Sequence, residues 1–354
     1  MRKPPIDLPD RTMFCSPLLP PPTTRIPAPL RRQMGAWLSG PPRGPRKQSH
    51  RACLFLLGRI GDFVLALSTV RLLLRQIGPE HCTLVVSRSQ ETLARREFPD
   101  TRCLVLPTEA DGLVRDILPI WWRERGKFAD TRFKLLVGLR HQRALYHDLT
   151  LSWIDAEREV RLEPSTYPTI PQPGLCTELL GHWRLAESVL GRKVSREEIL
   201  PRFTSLQASD DGRLLVCPLS LDVTRSLPAE DMLAALQIWR RRNPAPIVFG
   251  GSPADEPALV QLAANARAAG LGDVRVETPQ GLEGLLAQVA RAGAVFAADS
   301  APAHIAIALD KPCVVMTSQG FYGYAQPWAR SSRQQTFLHG TDTAEIAAAL
   351  PAVG

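Results

Sequence analysis

Three hundred and fifty-four residues exceed what one hydrophobic core usually needs, so two domains of ordinary size are expected. Apolar residues at 44% and charged residues at 22% describe a folded globular chain, neither disordered nor fibrous throughout. The net charge of +8 is concentrated in residues 1–50, which hold nine Lys/Arg against two Asp; the remainder is almost balanced, so no nucleic-acid partner is expected.

Twelve prolines fall in the same first 50 residues, among them Pro20 to Pro22 and the pair Pro41 and Pro42. Proline at that density blocks helices and ladder hydrogen bonds, which predicts a mobile arm over residues 1–48. The arm's basic charge gives two readings, an extension without a role or a weak attraction to an anionic membrane face. It contains no apolar core of a signal peptide. Seven cysteines without a CxxC pair suit a reducing compartment, so a cytoplasmic protein is expected. The longest apolar stretches, ACLFLL and FVLALSTV, fall short of the roughly 18 residues that mark a membrane helix.

From Arg51 onward short apolar runs alternate with helical segments. ACLFLL (52–57) predicts a strand, followed by a glycine loop and an amphipathic helix over 63–77. CTLVVS (82–87), a charged helix at 89–97, RCLVLP (102–107), a helix through Trp121 and Trp122, and FKLLVGL (133–139) continue the pattern. A Pro/Thr/Ser-rich loop is expected at 163–178 and a helix at 178–191. The alternation restarts with strands at 214–220, 245–252, 273–279, 294–300 and 312–318. Nearly continuous apolar strands between helices indicate parallel sheets covered on both faces. The expectation is an α/β protein of two Rossmann-like domains, 49–200 and 201–354, facing one another across a cleft. Ligands of such sheets collect beyond the carboxyl ends of the strands.

The loops at the carboxyl ends of the strands therefore carry the functional signal. Gly58-Arg59-Ile60-Gly61-Asp62 opens the first helix. Asp62 reads either as a helix cap or as a carboxylate facing the cleft. After strand 214–220 come Ser220, Asp222 and Arg225-Ser226-Leu227-Pro228. Ser226 reads as the cap of the next helix, and Arg225 either meets a phosphate or is a solvated surface arginine. Ser252 to Asp255 reads as a capped helix start. In Asp299-Ser300-Ala301-Pro302-Ala303-His304 a buried strand gives way to a helix whose amino end is an anion site, with His304 in its first turn. No metal-ligand motif, phosphate-binding loop or nucleophile elbow accompanies these segments.

Taken in order, GRIGDFVLALSTVRLL, SLDVTRSLPAED and TPQGLEGLLAQVARAGAVFAADSAPAHIAIALDKPCVV resemble the family 9 glycosyltransferases. The best-known members of that family are ADP-heptose:lipopolysaccharide heptosyltransferases. The resemblance implies a GT-B fold with an N-terminal acceptor domain and a C-terminal donor domain. It implies a metal-independent inverting transfer, with no cofactor, from a nucleotide-sugar donor, ADP-heptose first, to a lipopolysaccharide core or another lipid-linked saccharide. By the same resemblance Asp62 matches the catalytic base and Gly61 lies on the acceptor side. Ser220, Arg225, Asp299, Ser300, Ala301 and His304 match donor-binding positions. Arg140, His141 and Arg143 follow strand 133–139 and read either as acceptor contacts for acidic groups or as a solvated basic helix start. Arg225 stands where the family has lysine, Ala301 where it has glycine, Leu227 where it has tryptophan and Ser68 where it has proline. A cytoplasmic enzyme acting on a membrane-anchored acceptor is the expectation, with peripheral contact to the inner membrane face as one reading. A nucleotide-sugar-binding protein without transfer and a nucleotide-sugar epimerase are its alternatives.

Overall fold

The computed structural model describes residues 48–107, 123–128, 131–139, 150–151, 154–161, 177–318 and 328–353. The predicted arm up to residue 47, the helix through Trp121 and Trp122 and most of the 163–178 loop lie outside the described residues.

Two all-parallel sheets form the scaffold. The first contains β1 (Gln48–Leu56), β2 (Cys82–Ser87), β3 (Arg102–Leu106), β4 (Thr131–Gly138) and β5 (Asp155–Arg161), in the order β3-β2-β1-β4-β5. The second contains β6 (Leu214–Cys217), β7 (Ile247–Gly250), β8 (Val274–Glu277), β9 (Ala294–Ala298), β10 (Cys313–Thr317) and β11 (Gln334–Leu338), in the order β11-β10-β9-β6-β7-β8. The helices are α1 (Ile60–Ile77), α2 (Glu91–Glu97), α3 (Thr177–Leu190), α4 (Arg196–Ile199), α5 (Ala229–Arg240), α6 (Glu256–Ala268), α7 (Gly281–Arg291), α8 (Ala301–Ala308) and α9 (Thr343–Ala349). Among the described residues no helix is long and apolar enough to cross a membrane.

Side-chain alternation along the strands divides the interior into three cores. In β1, Ala52, Leu54 and Leu56 enter the central core, whereas Cys53 and Phe55 enter one on the opposite face of the first sheet. In the second sheet Leu215, Cys217, Val295 and Ala297 face the central core. Leu214, Val216, Phe296 and Ala298 face the core beneath α5, α6 and α9. The central core therefore receives side chains from both sheets, and α1, α3, α7 and α8 fill it.

Helix α1 explains why this layer holds. Its residues Phe63 to Val70 and Leu72 to Leu74 are all buried, so the helix is covered on nearly every side. Each large apolar side chain in it contributes roughly 1.5–3 kcal/mol by leaving water. Ser68, polar in this setting, donates to the Leu200 carbonyl at 2.8 Å and so ties α1 to the chain that leaves α4.

The passage between the two sheets is fixed at both ends. Buried Glu97 at the end of α2 accepts from the backbone and hydroxyl groups of Thr204 and Ser205. It also pairs with Arg71 at 2.8 Å. Beyond, Ser209 N donates to Ala290 O at 2.8 Å and Asp211 N to Arg291 O at 2.9 Å. Residues 206–208 lie between these two anchors. A second bridge, Arg96 to Glu283 at 2.6 Å, joins α2 directly to α7.

Candidate active site

The loop after β1 is braced before it reaches the cleft. Ser87 Oγ donates to Gly58 O at 2.8 Å, and Gln90 Nε2 donates to Arg59 O at 3.0 Å. Asp62, in the first turn of α1, folds its carboxylate back to accept from Arg59 N at 2.7 Å. That return needs a glycine at position 58, where a Cβ would lie 2.5 Å from Asp62 Oδ2. Asp62 is therefore a cap of α1, as one sequence reading had it, and it is only half-buried at the carboxyl end of the central strand.

The second sheet presents β9 and α8 at its own carboxyl end. Asp299 is fully buried and its Oδ2 accepts from Thr317 Oγ1 at 3.5 Å, while its Oδ1 has no hydrogen-bond partner. Ser300 is extended at the helix start, and its side chain donates to Ala298 O at 3.2 Å instead of capping α8. Ser300 O accepts from Ala303 N and His304 N at 3.1 and 3.3 Å. Pro302 has no N–H to offer, so the amides available to an anion narrow to those of Ser300 and Ala301, backed by the helix dipole. His304 Nε2 stands 3.6 Å from Asp299 Oδ1, and its Nδ1 has no partner.

These two loops meet. A Cβ on Gly61 would approach His304 Cδ2 to 2.9 Å, so the first turn of α1 rests directly against the first turn of α8. Asp62 adjoins that contact in sequence.

Arg225 arrives from the third loop. Asp222 accepts from Thr224 N at 3.1 Å and from its hydroxyl at 2.7 Å, closing the short 3-10 turn that carries Arg225. Ser226, expected to cap α5, instead accepts from Ser220 N at 3.0 Å and cross-links the loop after β6. Helix α5 follows Pro228 with no side-chain cap, because the serine is consumed by the loop. The Thr224 hydroxyl holds Asp222 below the usual carboxylate range, helped by the charges of Arg225 and, from across the cleft, Arg59.

Burial dominates the electrostatics of the centre. It pushes Asp299 up to about 7, against the opposing pull of Arg225 and the Thr317 hydroxyl, while the charge of Glu178 adds to the rise. Burial also pushes His304 down to about 4, with Arg225 adding to the fall and Glu178 opposing it. At neutral pH His304 is an uncharged imidazole, able to donate one hydrogen bond and accept another but not to neutralise an anion. Arg225 is the cation whose field reaches both residues.

Of the residues singled out in the sequence, Gly61, Asp62, Arg225, Asp299, Ser300, Ala301 and His304 thus converge where the two sheets face each other. Ser220 lies on the same loop as Arg225. Arg140, His141 and Arg143 lie outside the described residues. Two polar residues of this centre were not anticipated. Thr317 falls at the end of the strand expected over 312–318, and Glu178, 5% exposed in the first turn of α3, resembles an ordinary acid at a helix start. Among the described residues no group of three His, Cys, Asp or Glu side chains is placed to hold a metal ion.

Residues 180–344 match the sequence profile of glycosyltransferase family 9 (heptosyltransferase). No curated protein matches the chain. Among solved structures, the chain is similar to the E. coli ADP-heptose LPS heptosyltransferase II, with a TM-score of 0.60 and 14% identity over 85% of this chain and 97% of that one. It is also similar to E. coli heptosyltransferase WaaC with ADP-2-deoxy-2-fluoro heptose, with a TM-score of 0.56 and 16% identity over 84% and 97%. A Veillonella parvula glycosyltransferase of family 9 gives 0.56 and 14% over 83% and 89%. The two parallel sheets and these likenesses identify the fold as GT-B.

Proposed function

We propose, from a family 9 glycosyltransferase match over residues 180–344 on a GT-B fold, that this chain is an inverting glycosyltransferase. It moves a sugar, heptose from ADP-heptose first among candidates, to a lipopolysaccharide core or related glycan at the cytoplasmic membrane face. Residues 49–200 form the acceptor side and 201–354 the donor side. The observation that carries this reading is the Gly61–His304 contact, which brings the Asp62 turn of one sheet to the donor helix of the other.

In this mechanism Asp62 receives the proton of the acceptor hydroxyl as that oxygen attacks the anomeric carbon. A carboxylate is a weak base for an alcohol, so the proton moves late, once the new bond is largely formed. The nucleoside diphosphate leaves from the opposite face, which inverts the anomeric centre. Its growing charge is met by Arg225 and by the amides of Ser300 and Ala301 at the start of α8. His304 contributes a hydrogen bond, and Ser220 lies beside the phosphates. On the proposed acceptor side a cavity of about 600 Å³ is lined by Arg88, Arg95, Arg123 and Lys127 with Glu91 and Glu124, and there Arg95 pairs with Glu91 while Arg123 and Lys127 pair with Glu124. Arg140, His141 and Arg143, taken from the sequence alone, are candidate contacts for acidic groups of the acceptor.

The test is transfer itself. Purified chain with ADP-heptose and a heptose-free core acceptor should release ADP and extend the acceptor, with EDTA leaving the rate unchanged. Donor binding without turnover across an acceptor panel would favour a non-catalytic binder. A change in the sugar with no acceptor present would favour an epimerase.

A further inference from the structure

The turn that carries Asp62 is supported by two buried side chains from a separate element. Asp62 Oδ2 accepts from Arg59 N at 2.7 Å, and that N–H belongs to the peptide unit whose carbonyl is Gly58 O. Ser87 Oγ, at the end of β2, donates to the same carbonyl at 2.8 Å. The one hydroxyl proton of Ser87 is used there, so in its 3.1 Å contact with Ser89 Oγ the donor is Ser89. One directed chain results, from the Ser89 hydroxyl through Ser87 and the Gly58–Arg59 peptide to the Asp62 carboxylate. Each link of such a chain polarises the next, and a peptide whose oxygen accepts a hydrogen bond donates more strongly from its nitrogen. Gln90 fixes the next carbonyl along: its Nε2 donates to Arg59 O at 3.0 Å while its Oε1 accepts from Ser87 N at 3.1 Å, a pairing that also sets the orientation of the amide. Ser87 and Gln90 are both 0% exposed. A helix cap needs only the short return from aspartate to a backbone N–H. Here polar side chains 29 and 31 residues away are buried to hold the loop that makes that return.

We propose that Ser87 is a positioning residue for Asp62: through the Gly58–Arg59 peptide it fixes Asp62 Oδ2 and so aims the carboxylate at the acceptor hydroxyl, while Gln90 holds the loop in place. This rests on the reading of Asp62 as the base of a glycosyltransferase and adds the support that the base depends on. In this role Ser87 acts on the chemical step and not on donor binding, which separates it from a residue that only braces the fold.

Transfer kinetics with ADP-heptose, beside calorimetric ADP-heptose affinity of the same full-chain preparation, test the proposal. Ser87→Ala should lower kcat about tenfold with donor affinity unchanged, and Ser87→Thr, which keeps the hydroxyl, should recover most of the loss. Should Ser87→Ala fail to fold, Ser87→Cys fills the same space with a weak donor and is read in the same way. An unchanged kcat, or a fall in donor affinity that matches the fall in kcat, overturns the proposal and leaves Ser87 as a brace of the loop after β1. A double-mutant cycle shows the route: in an Asp62→Asn chain Ser87→Ala should cost nothing further, and an equal loss in both backgrounds overturns the proposal as well. A wild-type chain without transfer across a panel of acceptors would instead remove the glycosyltransferase reading beneath it.

Discussion

Gly61 and His304 lie in different halves of the chain, and the space between them has no room for one added methyl group: a Cβ on Gly61 would sit 2.9 Å from His304 Cδ2. The ring cannot step aside, since His304 is 6% exposed and its neighbours Ala303 and Ile305 are fully buried. Gly61→Ala should therefore force the two first turns apart. A loss of about 1–3 kcal/mol in denaturant unfolding is expected, typical of overpacking, together with weaker transfer. Unchanged stability and turnover would mean that the contact is looser than described.

The Asp299–His304 pair makes a prediction about pH with opposite signs for its two members. Asp299 is raised from 3.8 to about 7, so its contribution to stability is full below pH 3.8 and is lost as pH rises through 7. His304 is lowered from 6.5 to about 4, so its contribution is full above pH 6.5 and is lost as pH falls through 4. In the wild type the two windows overlap and oppose each other between about pH 4 and 6.5. His304→Asn should leave a chain whose stability falls with rising pH in that window. Asp299→Asn should leave one whose stability rises, each by up to about 1.4 kcal/mol per pH unit. Unfolding midpoints across pH 4–7 for the three proteins check this, and parallel profiles would contradict it.

Arg225 is the cation whose field reaches Asp299 and His304, so it should govern the diphosphate. Arg225→Ala is expected to weaken ADP binding about tenfold to a hundredfold, in line with loss of a charge-assisted hydrogen bond. Arg225→Lys should retain part of the affinity and lose the planar fork. Equal affinities in all three proteins, measured by calorimetry at fixed salt, would remove Arg225 from the donor site.

Much of this was legible in the sequence, for reasons particular to each element. Strands β1, β2, β6, β9 and β10 are buried on both faces and show as continuous apolar runs. DAEREVR in β5 does not, because an edge strand pairs with β4 alone and leaves Glu157, Arg158 and Glu159 exposed. QQTFL in β11 was missed for the same reason. Ser226 was misread as a cap because its local pattern is that of one, and only the fold brings Ser220 N to its hydroxyl. Asp299 and His304 could be found because they bracket a strand-to-helix turn. Glu178 could not, since Asp299 and His304, on which its charge acts, lie more than a hundred residues further along the chain.

Glu97 anchors the passage between the halves, and burial, which would raise its carboxyl, is outweighed by the hydrogen bonds from Ser205 and Thr204 that hold it low. A depressed carboxyl contributes stability above its unfolded value of about 4.5 that is lost as pH falls below it. Glu97→Ala, which leaves Arg71 and four donors without their acceptor, should cost about 3 kcal/mol in unfolding. A cost below about 1 kcal/mol would show that the linker is held by other contacts.

The most direct test of the account is Asp62→Asn, because an amide oxygen still accepts from Arg59 N and so keeps the cap of α1 while losing the base. Turnover of ADP-heptose with an acceptor is measured beside calorimetric ADP-heptose affinity for the same preparation. A fall in turnover of about a hundredfold or more with unchanged donor affinity is predicted. Turnover within a few-fold of the wild type would contradict the assignment of Asp62 and, with it, the picture of a base on one sheet serving a donor held by the other.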